Sequence, residues 1–473
     1  MALPLAAARA DTLTLDDAIR LALEKNQQIK VEAFGRSIAR ADLLTALGKF
    51  DPSLNFRRSF SESNAPASSN PTVGQIVQTD DYSLSLDGTT PWGLNFSLGG
   101  SATNQRGTFV NSNLDSYATF GGVTVTQPLL RGFGFGSNLF GLRIARANRN
   151  IADWQFRQTA IDTVTNVIVA YSNLVFAQQS LEIAKRSHNL AAGLVEENEK
   201  RFKVGAMSQS DVTQARARTA ASDEDILSAQ QGVRDATNGL RALIGETEFP
   251  IDPATFQVDP PEAHDLTPHP AHDLSAALEL RPDYQAAKLG LVKDRASDSA
   301  ARNALLPQVD FVGSYGYNGL DRDFSVARQM VRDREHRSFS AGIVVSVPLT
   351  FAEGRGRARS ARLQLRRDEA DLTRLERDIA VSVARAAGQI ETTRQRVAAD
   401  LTAYNLAKQA LDDEIKKLRA GQSQTYFVLQ FQQQLAFAEL SYEAALADQR
   451  RALANYDREL GRTLQVRNIA LEK

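Results

Sequence analysis

Two stretches, residues 139–203 and 357–420, each run for about 60 residues without a proline and are rich in Ala, Leu, Arg, Gln and Glu. This composition sustains an unbroken helix, and at 1.5 Å per residue each would reach about 90 Å. No globular domain needs a helix of that length. Leu181, His188, Val195 and Phe202 recur every seven residues in the first stretch, as do Val397, Tyr404, Leu411 and Leu418 in the second. The spacing predicts seams packed against neighbouring helices, and so a helical bundle or tube.

The two stretches belong to a duplication. Ala22-Leu23-Glu24-Lys25-Asn26 answers Ala277-Leu278-Glu279-Leu280-Arg281 at an offset of 255, which Pro52 and Pro307 keep. Pro128 and Pro348 are 220 apart, so the first copy carries 35 extra residues before that point. Gly205 and Gly421 are 216 apart, as are Gly245 and Gly461. Each copy reads helix, strands, very long helix, tight turn, helix. The first covers 13–245, with helices at 15–48, strands within 52–129 and a helical hairpin at 139–245. The second covers 274–461, with a helix at 274–305, strands at 307–349 and a hairpin at 357–460. A Pro-rich linker, 246–273, joins them, and 462–473 forms a tail.

The strand segments alternate in character. Tyr82, Leu84 and Leu86 interleave with Ser83, Ser85 and Asp87, and Leu94, Phe96 and Leu98 with Asn95, Ser97 and Gly99. In the second copy Phe339, Ala341, Ile343, Val345 and Val347 form one face. Period-2 alternation fits either a half-buried soluble sheet or a lipid-facing barrel with a wet lumen. One chain supplies too few strands to close a wide barrel, and oligomerisation would satisfy both the sheet edges and the helical seams. The 35 extra residues predict a further hairpin near 82–99, turning at Pro91-Trp92-Gly93 and flanked by polar loops at 63–80 and 105–117. Four or six strands per chain are both compatible with this.

Composition removes several functions. A formal net charge of −1 gives no basic field for nucleic acid. The chain has no cysteine, so disulfides, thiolate metal sites and a lipidated Cys are excluded in it. The start, with Ala8-Arg9-Ala10, reads as the stump of a secretion signal or as an ordinary disordered terminus. No apolar run reaches the roughly 18 to 20 residues of a spanning helix, so a membrane would be crossed by strands.

The order of pieces, duplicated, resembles the TolC-type outer-membrane efflux channels. The matching residues are Leu13 to Asn26, Gln127-Pro128-Leu129, Leu278 to Lys288, Arg201 to Ala215 and Lys417 to Gln430. The resemblance implies an α+β membrane protein: a trimeric outer-membrane β-barrel continuous with a long α-helical periplasmic barrel. It also implies two shorter helices stacked beside each long one, and an equatorial belt formed by 246–273 with the tail. The implied partners are two more copies of the chain, a periplasmic membrane-fusion adaptor, an inner-membrane pump of RND, ABC or MFS type, and outer-membrane lipid. A passive exit duct for efflux or type I secretion follows, with no cofactor, no metal and no enzymatic step. A soluble coiled-coil scaffold with a small β domain is the alternative.

Both tight turns place a cation four residues before a glycine, Arg201 before Gly205 and Lys417 before Gly421, as a helix C-terminus favours. The resemblance makes them the adaptor-docking tip, with Ser208 and Ser423 as further candidates. It also implies aspartates six and nine residues after the second glycine, forming a carboxylate gate. Those positions are Phe427 and Gln430 here, and in the first copy Asp211 and Gln214. An apolar gate of Tyr426, Phe427 and Phe431 is the expectation, unless these aromatics pack the seam. The run QPLLRGFGFGSN lacks the glycine spacing of a nucleotide loop. With Pro128, Gly132, Gly134 and Gly136, and with Pro348, Gly354 and Gly356 in the second copy, it reads as the joint from strand to helix, capped by Ser137 or Asn138. Phe133 and Phe135 would border the membrane. His264, His269 and His272 read as a solvated linker rather than a metal site.

Overall fold

The computed structural model describes residues 13–67, 70–109, 112–245, 256–260 and 266–471. The N-terminal triplet, His264 and most of the Pro-rich linker lie outside them. In chain order the elements are α1 (Leu15–Lys25), α2 (Gln27–Gly48), β1 (Ser53–Ala67), β2 (Asn70–Thr89), β3 (Asn95–Phe109), β4 (Ser112–Pro128), α3 (Gly134–Asn138), α4 (Phe140–Lys203), α5 (Gln209–Ile244), α6 (Pro270–Leu280) and α7 (Pro282–Asn303). There follow β5 (Gln308–Asp321), α8 (Phe324–Arg332), β6 (His336–Ser346), α9 (Ala352–Arg419), α10 (Thr425–Glu459) and α11 (Thr463–Val466). Two units result. A helical unit draws on the chain up to Arg36, on Ala152–Ala287 and on the chain from Leu372; a β unit comprises Ser37–Ile151 and Lys288–Asp371.

The long helices are α4, of 64 residues, and α9, of 68. In the helical unit two cores form, one mainly from each copy, although Ala454 of α10 and Leu464 of α11 join the first. Leu15, Ile19, Val164, Leu174, Leu240 and Ile244 are buried together in the first, and Ala277, Ile379, Val383, Tyr456 and Leu460 in the second. An 18-residue window of α4 has a mean hydropathy of 1.3, enough to cross a membrane by length and composition, contrary to the sequence reading. It is 61% buried, and its apolarity belongs to the first core.

The helices expected as 15–48 and 274–305 are each broken, at duplicated positions. Asn26 leaves helical geometry at ψ 129° and Arg281 at ψ 121°. The causes differ. Pro282 disfavours the α region for Arg281, whereas the Asn26 Oδ1 accepts the Gln28 N–H at 2.8 Å and caps α2. Each break abuts a helix end from the same copy. Gly245 (φ 75°) and Gly461 (φ 69°) end α5 and α10, and a Cβ there would lie 2.5 Å from the Lys25 carbonyl oxygen and 2.9 Å from that of Leu280. Only glycine admits this approach together with positive φ. The Asn26 Nδ2 donates to the Leu243 carbonyl at 2.8 Å, and the Arg281 Nη1 to that of Glu459 at 3.1 Å, so the break residue closes the preceding carbonyl end in both copies.

In the β unit the six strands form one antiparallel sheet in the order β1 to β6, so each chain supplies six. Ser53, Pro128, Gln308 and Ser346, where the chain passes between strand and helix, lie at one end, with the Thr90–Leu94 turn. One face carries Leu54, Phe56, Leu84, Leu98, Phe339 and Ile343, each more than half exposed, and the other carries Asn55, Ser85, Ser97, Thr124, Ser314 and Ser340.

Two corrections concern the outer ends of the strands. The polar loops expected at 63–80 and 105–117 are largely ladder: Ser63 pairs with Val77, and Gln105 with Ser116. At this level the apolar face turns polar, with Glu62, Gln78, Asp80 and Arg106, so the period-2 signal vanishes although the backbone pairing continues. The second difference is α8, which no periodicity announced because it spans only nine residues.

Candidate functional site

At the tip of the helical unit the two hairpin turns share one backbone geometry. Gly205 N donates to Phe202 O at 2.9 Å and Ala206 N to Arg201 O at 2.9 Å; Gly421 N and Gln422 N repeat this on Leu418 and Lys417 at 3.1 and 2.8 Å. Both glycines have φ 75°, the left-handed termination that glycine favours. A Cβ on either would meet nothing within 4 Å, so both turns present open backbone, and Val204 is 78% exposed beside them.

Most of the charged and hydroxyl candidates are spent inside the tip. Arg201 donates to the Leu418 carbonyl at 3.2 Å, tying the first turn to the second, and also pairs with Glu197. Ser208 and Asp211 form a reciprocal capping box on α5: Asp211 N donates to the Ser208 hydroxyl at 3.2 Å and Ser208 N to Asp211 Oδ2 at 3.3 Å. Ser423 is not its counterpart. The residue 216 positions after Ser208 is Gln424, which caps nothing with its side chain, while Ser423 binds Glu414. The Ser423 hydroxyl, and then Lys417 at 3.1 Å, hold the Glu414 carboxyl below its usual pKa. Beneath the turns, Asn198 is fully buried and donates to Thr425 Oγ1 at 3.2 Å, with Met207 Sδ 3.8 Å from the same hydroxyl. Sequence reasoning missed Asn198, Glu414 and Thr425; Asn198 and Glu414 are equivalent in the repeat, 216 apart, but their residue types differ and so hide the match.

The gate candidates separate. Tyr426 and Phe427, in the first turn of α10, are 56% and 44% exposed, with rings 5.5 Å apart at 73°. Phe431 packs instead on the cluster of Leu194, Leu411, Leu418 and Val428, the seam that the alternative reading offered for all three. Gln430 is exposed. In the first copy the seam includes buried Leu194, while Phe202, expected in it, is 43% exposed.

The strand-to-helix joint lies within the β unit. β4 ends at Pro128, and two further bonds run from Leu129 N to Val309 O at 2.7 Å and from Arg131 N to Pro307 O at 3.4 Å. Gly132 (φ 85°) and Gly134 (φ 82°) then redirect the chain, held by Asn303 Oδ1 on Gly132 N at 2.8 Å and by Trp92 O on Gly134 N at 3.0 Å. Asn138 does not cap a helix start. Its Nδ2 donates to the carbonyls of Gly132 and Gly134 at 2.7 and 3.0 Å, because the preceding turn leaves those acceptors open. Gly136 lies in α3 without positive φ, and Phe133 and Phe135 are both more than half exposed. In the second copy Gly354 and Gly356, expected before the helix, lie inside α9; after Pro348 the positive φ falls on Phe351 at 51°. Gly354 serves packing, since a Cβ there would lie 3.3 Å from Leu305 Cδ2.

In the linker, the His269 N–H donates to Asp273 Oδ2 at 2.8 Å, and the His272 side chain is 85% exposed. Among the described residues no group of three His, Cys, Asp or Glu side chains is placed to hold a metal. Tyr171 holds the linker at Asp259, its hydroxyl 2.9 Å from the carbonyls of Leu13 and Asp259.

Known proteins place this geometry. The family model described as outer membrane efflux protein matches residues 88–246 and 274–462. The outer membrane efflux protein BepC of Brucella suis biovar 1 is 25% identical over 82% of this chain and 80% of its own length. The cobalt-zinc-cadmium resistance protein CzcC of Cupriavidus metallidurans is 25% identical over 68% and 75%. Among solved structures, the CmeC outer membrane channel of Campylobacter jejuni superposes with a TM-score of 0.70 at 16% identity, over 96% of this chain and 87% of that one. VceC of Vibrio cholerae gives 0.68 at 16%, over 94% and 96%. The fold is that of these channels, a β domain with a helical barrel, and the chain belongs to the outer membrane efflux protein family, located in the outer membrane with a long helical periplasmic part.

Proposed function

We propose that the chain is the passive exit duct of a tripartite efflux or type I secretion system. Three copies join the open β1 and β6 edges into one barrel, and an inner-membrane pump of RND, ABC or MFS type, linked by a periplasmic adaptor, supplies the energy. The observation that carries this is the six-stranded sheet itself: two unpaired edges and an exposed apolar face are untenable in water but complete a lipid-facing barrel on oligomerisation. A soluble scaffold would have no use for that face. Solutes pass without a chemical step, and drugs, metal ions and proteins all stay open as cargo.

Docking falls to the open backbone at Gly205 and Gly421, with Val204 and the exposed Lys417 beside it, while Arg201, Ser208 and Ser423 keep the turns in shape. Because the chain lacks cysteine, Val204→Cys supplies a single thiol at this surface. In cells treated with a thiol-to-amine cross-linker, this variant is expected to join a membrane-anchored periplasmic adaptor identified by mass spectrometry, and the purified chain to weigh as three copies. Cross-links confined to copies of this chain would sink the docking reading, and a monomeric mass in mild detergent would sink the duct.

A further inference from the structure

Helix α8 sits on the apolar face of the sheet. Thr119 Oγ1 donates to the Ala327 carbonyl at 2.8 Å, the Tyr117 and Phe324 rings are 5.7 Å apart, and a Cβ on Gly121 would come within 2.8 Å of Val331 Cγ1. At Gly319 a Cβ would fall 1.9 Å from the Ala327 oxygen, so only glycine lets the helix lie this close. Tyr117, Thr119, Gly121 and Gly319 share the pleat parity of Leu98 and Phe339, so α8 lies on the wall that meets lipid rather than on the lumen side. It lies at the end of the strands away from the helix junctions. With the helices in the periplasm, that end meets the outer leaflet.

Arg328 and Arg332, one turn apart, are exposed on α8, and further arginines flank it: Arg322 before it, Arg334 after it and Arg337 at the start of β6. The five fall within sixteen residues, and all are exposed. Among the described residues none of them has a carboxylate within 4.0 Å, although arginines elsewhere in the chain commonly do. The acids of the same stretch stand at its two ends. Asp321 accepts the Asp323 N–H at 2.8 Å, Asp323 caps α8 by accepting Ser325 N at 2.7 Å, Asp333 accepts from Gln329 at 3.2 Å, and Glu335 follows. Phe324 and Val326, 44% and 41% exposed, add apolar surface to the helix. An amphipathic helix with unpaired arginines on a lipid-facing wall is built for a membrane interface whose headgroups are anionic.

We infer that α8 is an interfacial clamp for phosphorylated lipid headgroups of the outer leaflet, its arginines taking phosphate oxygens in the bidentate manner of guanidinium groups. The inference rests on the barrel reading of the sheet, and the two fail differently: a sheet that never enters a membrane would leave the protein soluble without detergent, whatever its lipid preference. The test is native mass spectrometry of the detergent-purified full chain after incubation with lipid A bearing two phosphates or with the same lipid dephosphorylated. Wild type is expected to retain the phosphorylated form by about tenfold or more over the other. The triple variant Arg328→Gln, Arg332→Gln, Arg334→Gln is expected to lose most of that preference. If it is recovered poorly, Arg328→Gln alone, at an exposed position, should lower the preference several-fold. Equal retention of the two lipids by wild type, an unchanged preference in the variants, or displacement by inorganic phosphate at the lipid's concentration would each overturn the clamp.

Discussion

Alanine at both Tyr426 and Phe427 is expected to raise the single-channel conductance of the purified protein in planar bilayers several-fold. The two rings stand out from the first turn of α10, exposed and edge to face, at the end of a proposed duct to which each copy contributes the same pair. An apolar constriction gates by excluding water, so shortening its side chains wets the passage without a change of charge. Ion selectivity should therefore stay as it is, unlike the result of opening a carboxylate ring. Phe431→Ala is the control. That ring fills the Leu194–Val428 cluster, so its loss should cost stability and leave conductance alone. If the double variant conducts as wild type does while Phe431→Ala conducts more, the gate has been assigned to the wrong aromatics.

The second large effect is expected at Arg281. This guanidinium, 17% exposed, holds Asp283 through two bonds of 3.1 and 2.7 Å, the Glu459 carboxylate at 2.6 Å and the Glu459 carbonyl at 3.1 Å. Arg281→Ala strips Asp283 and Glu459, both part-buried, of this guanidinium, leaving Glu459 with Arg458 at 3.7 Å, and uncaps a helix end. A loss of about 3 kcal/mol is expected, the lower end for a broken buried pair because both acids keep some solvent contact. Arg281→Lys keeps the charge but not the fork and should recover only part of it. Burial opposes the Asp283 charge, yet the hydrogen bonds and charge of Arg281 outweigh it and hold that carboxyl below the usual pKa. The stabilisation is thus complete above the unfolded value of about 4 and is lost as pH falls through the lower folded value. Melting curves of wild type and Arg281→Ala at pH 7 and below pH 4 check both parts; a gap that does not narrow in acid would exclude this ion pair as its source.

The duplication made the order of elements readable, because helices of this length and alternating strands leave separate marks in a sequence. What it hid follows from the same physics. The break at Asn26 lies inside a run of helical composition without proline, whereas Pro282 marks the one at Arg281, and the contacts with Gly245 and Gly461 show what each bend serves. The strands beyond Glu62 and Arg106 lose their alternation where the sheet leaves the apolar zone, so polarity was taken for a loop. At the tip, the two glycines were visible from their spacing, whereas Asn198 and Glu414 act through partners 227 and nine residues away. The joint was recognisable in the first copy, where Gly132 and Gly134 take positive φ, and misplaced in the second, where the chain turns on Phe351.

The paired breaks also differ in kind. The first copy holds its bend with the neutral amide of Asn26, while the second holds the matching bend with Arg281 and two carboxylates. Mobile ions weaken the Coulombic part of a partly exposed pair and leave an amide–carbonyl bond almost untouched. Ionic strength therefore reaches one half of the duplicate and passes over the other. A molecule built from near-equal halves is in this respect lopsided, with one bend answerable to the salt around it and one indifferent.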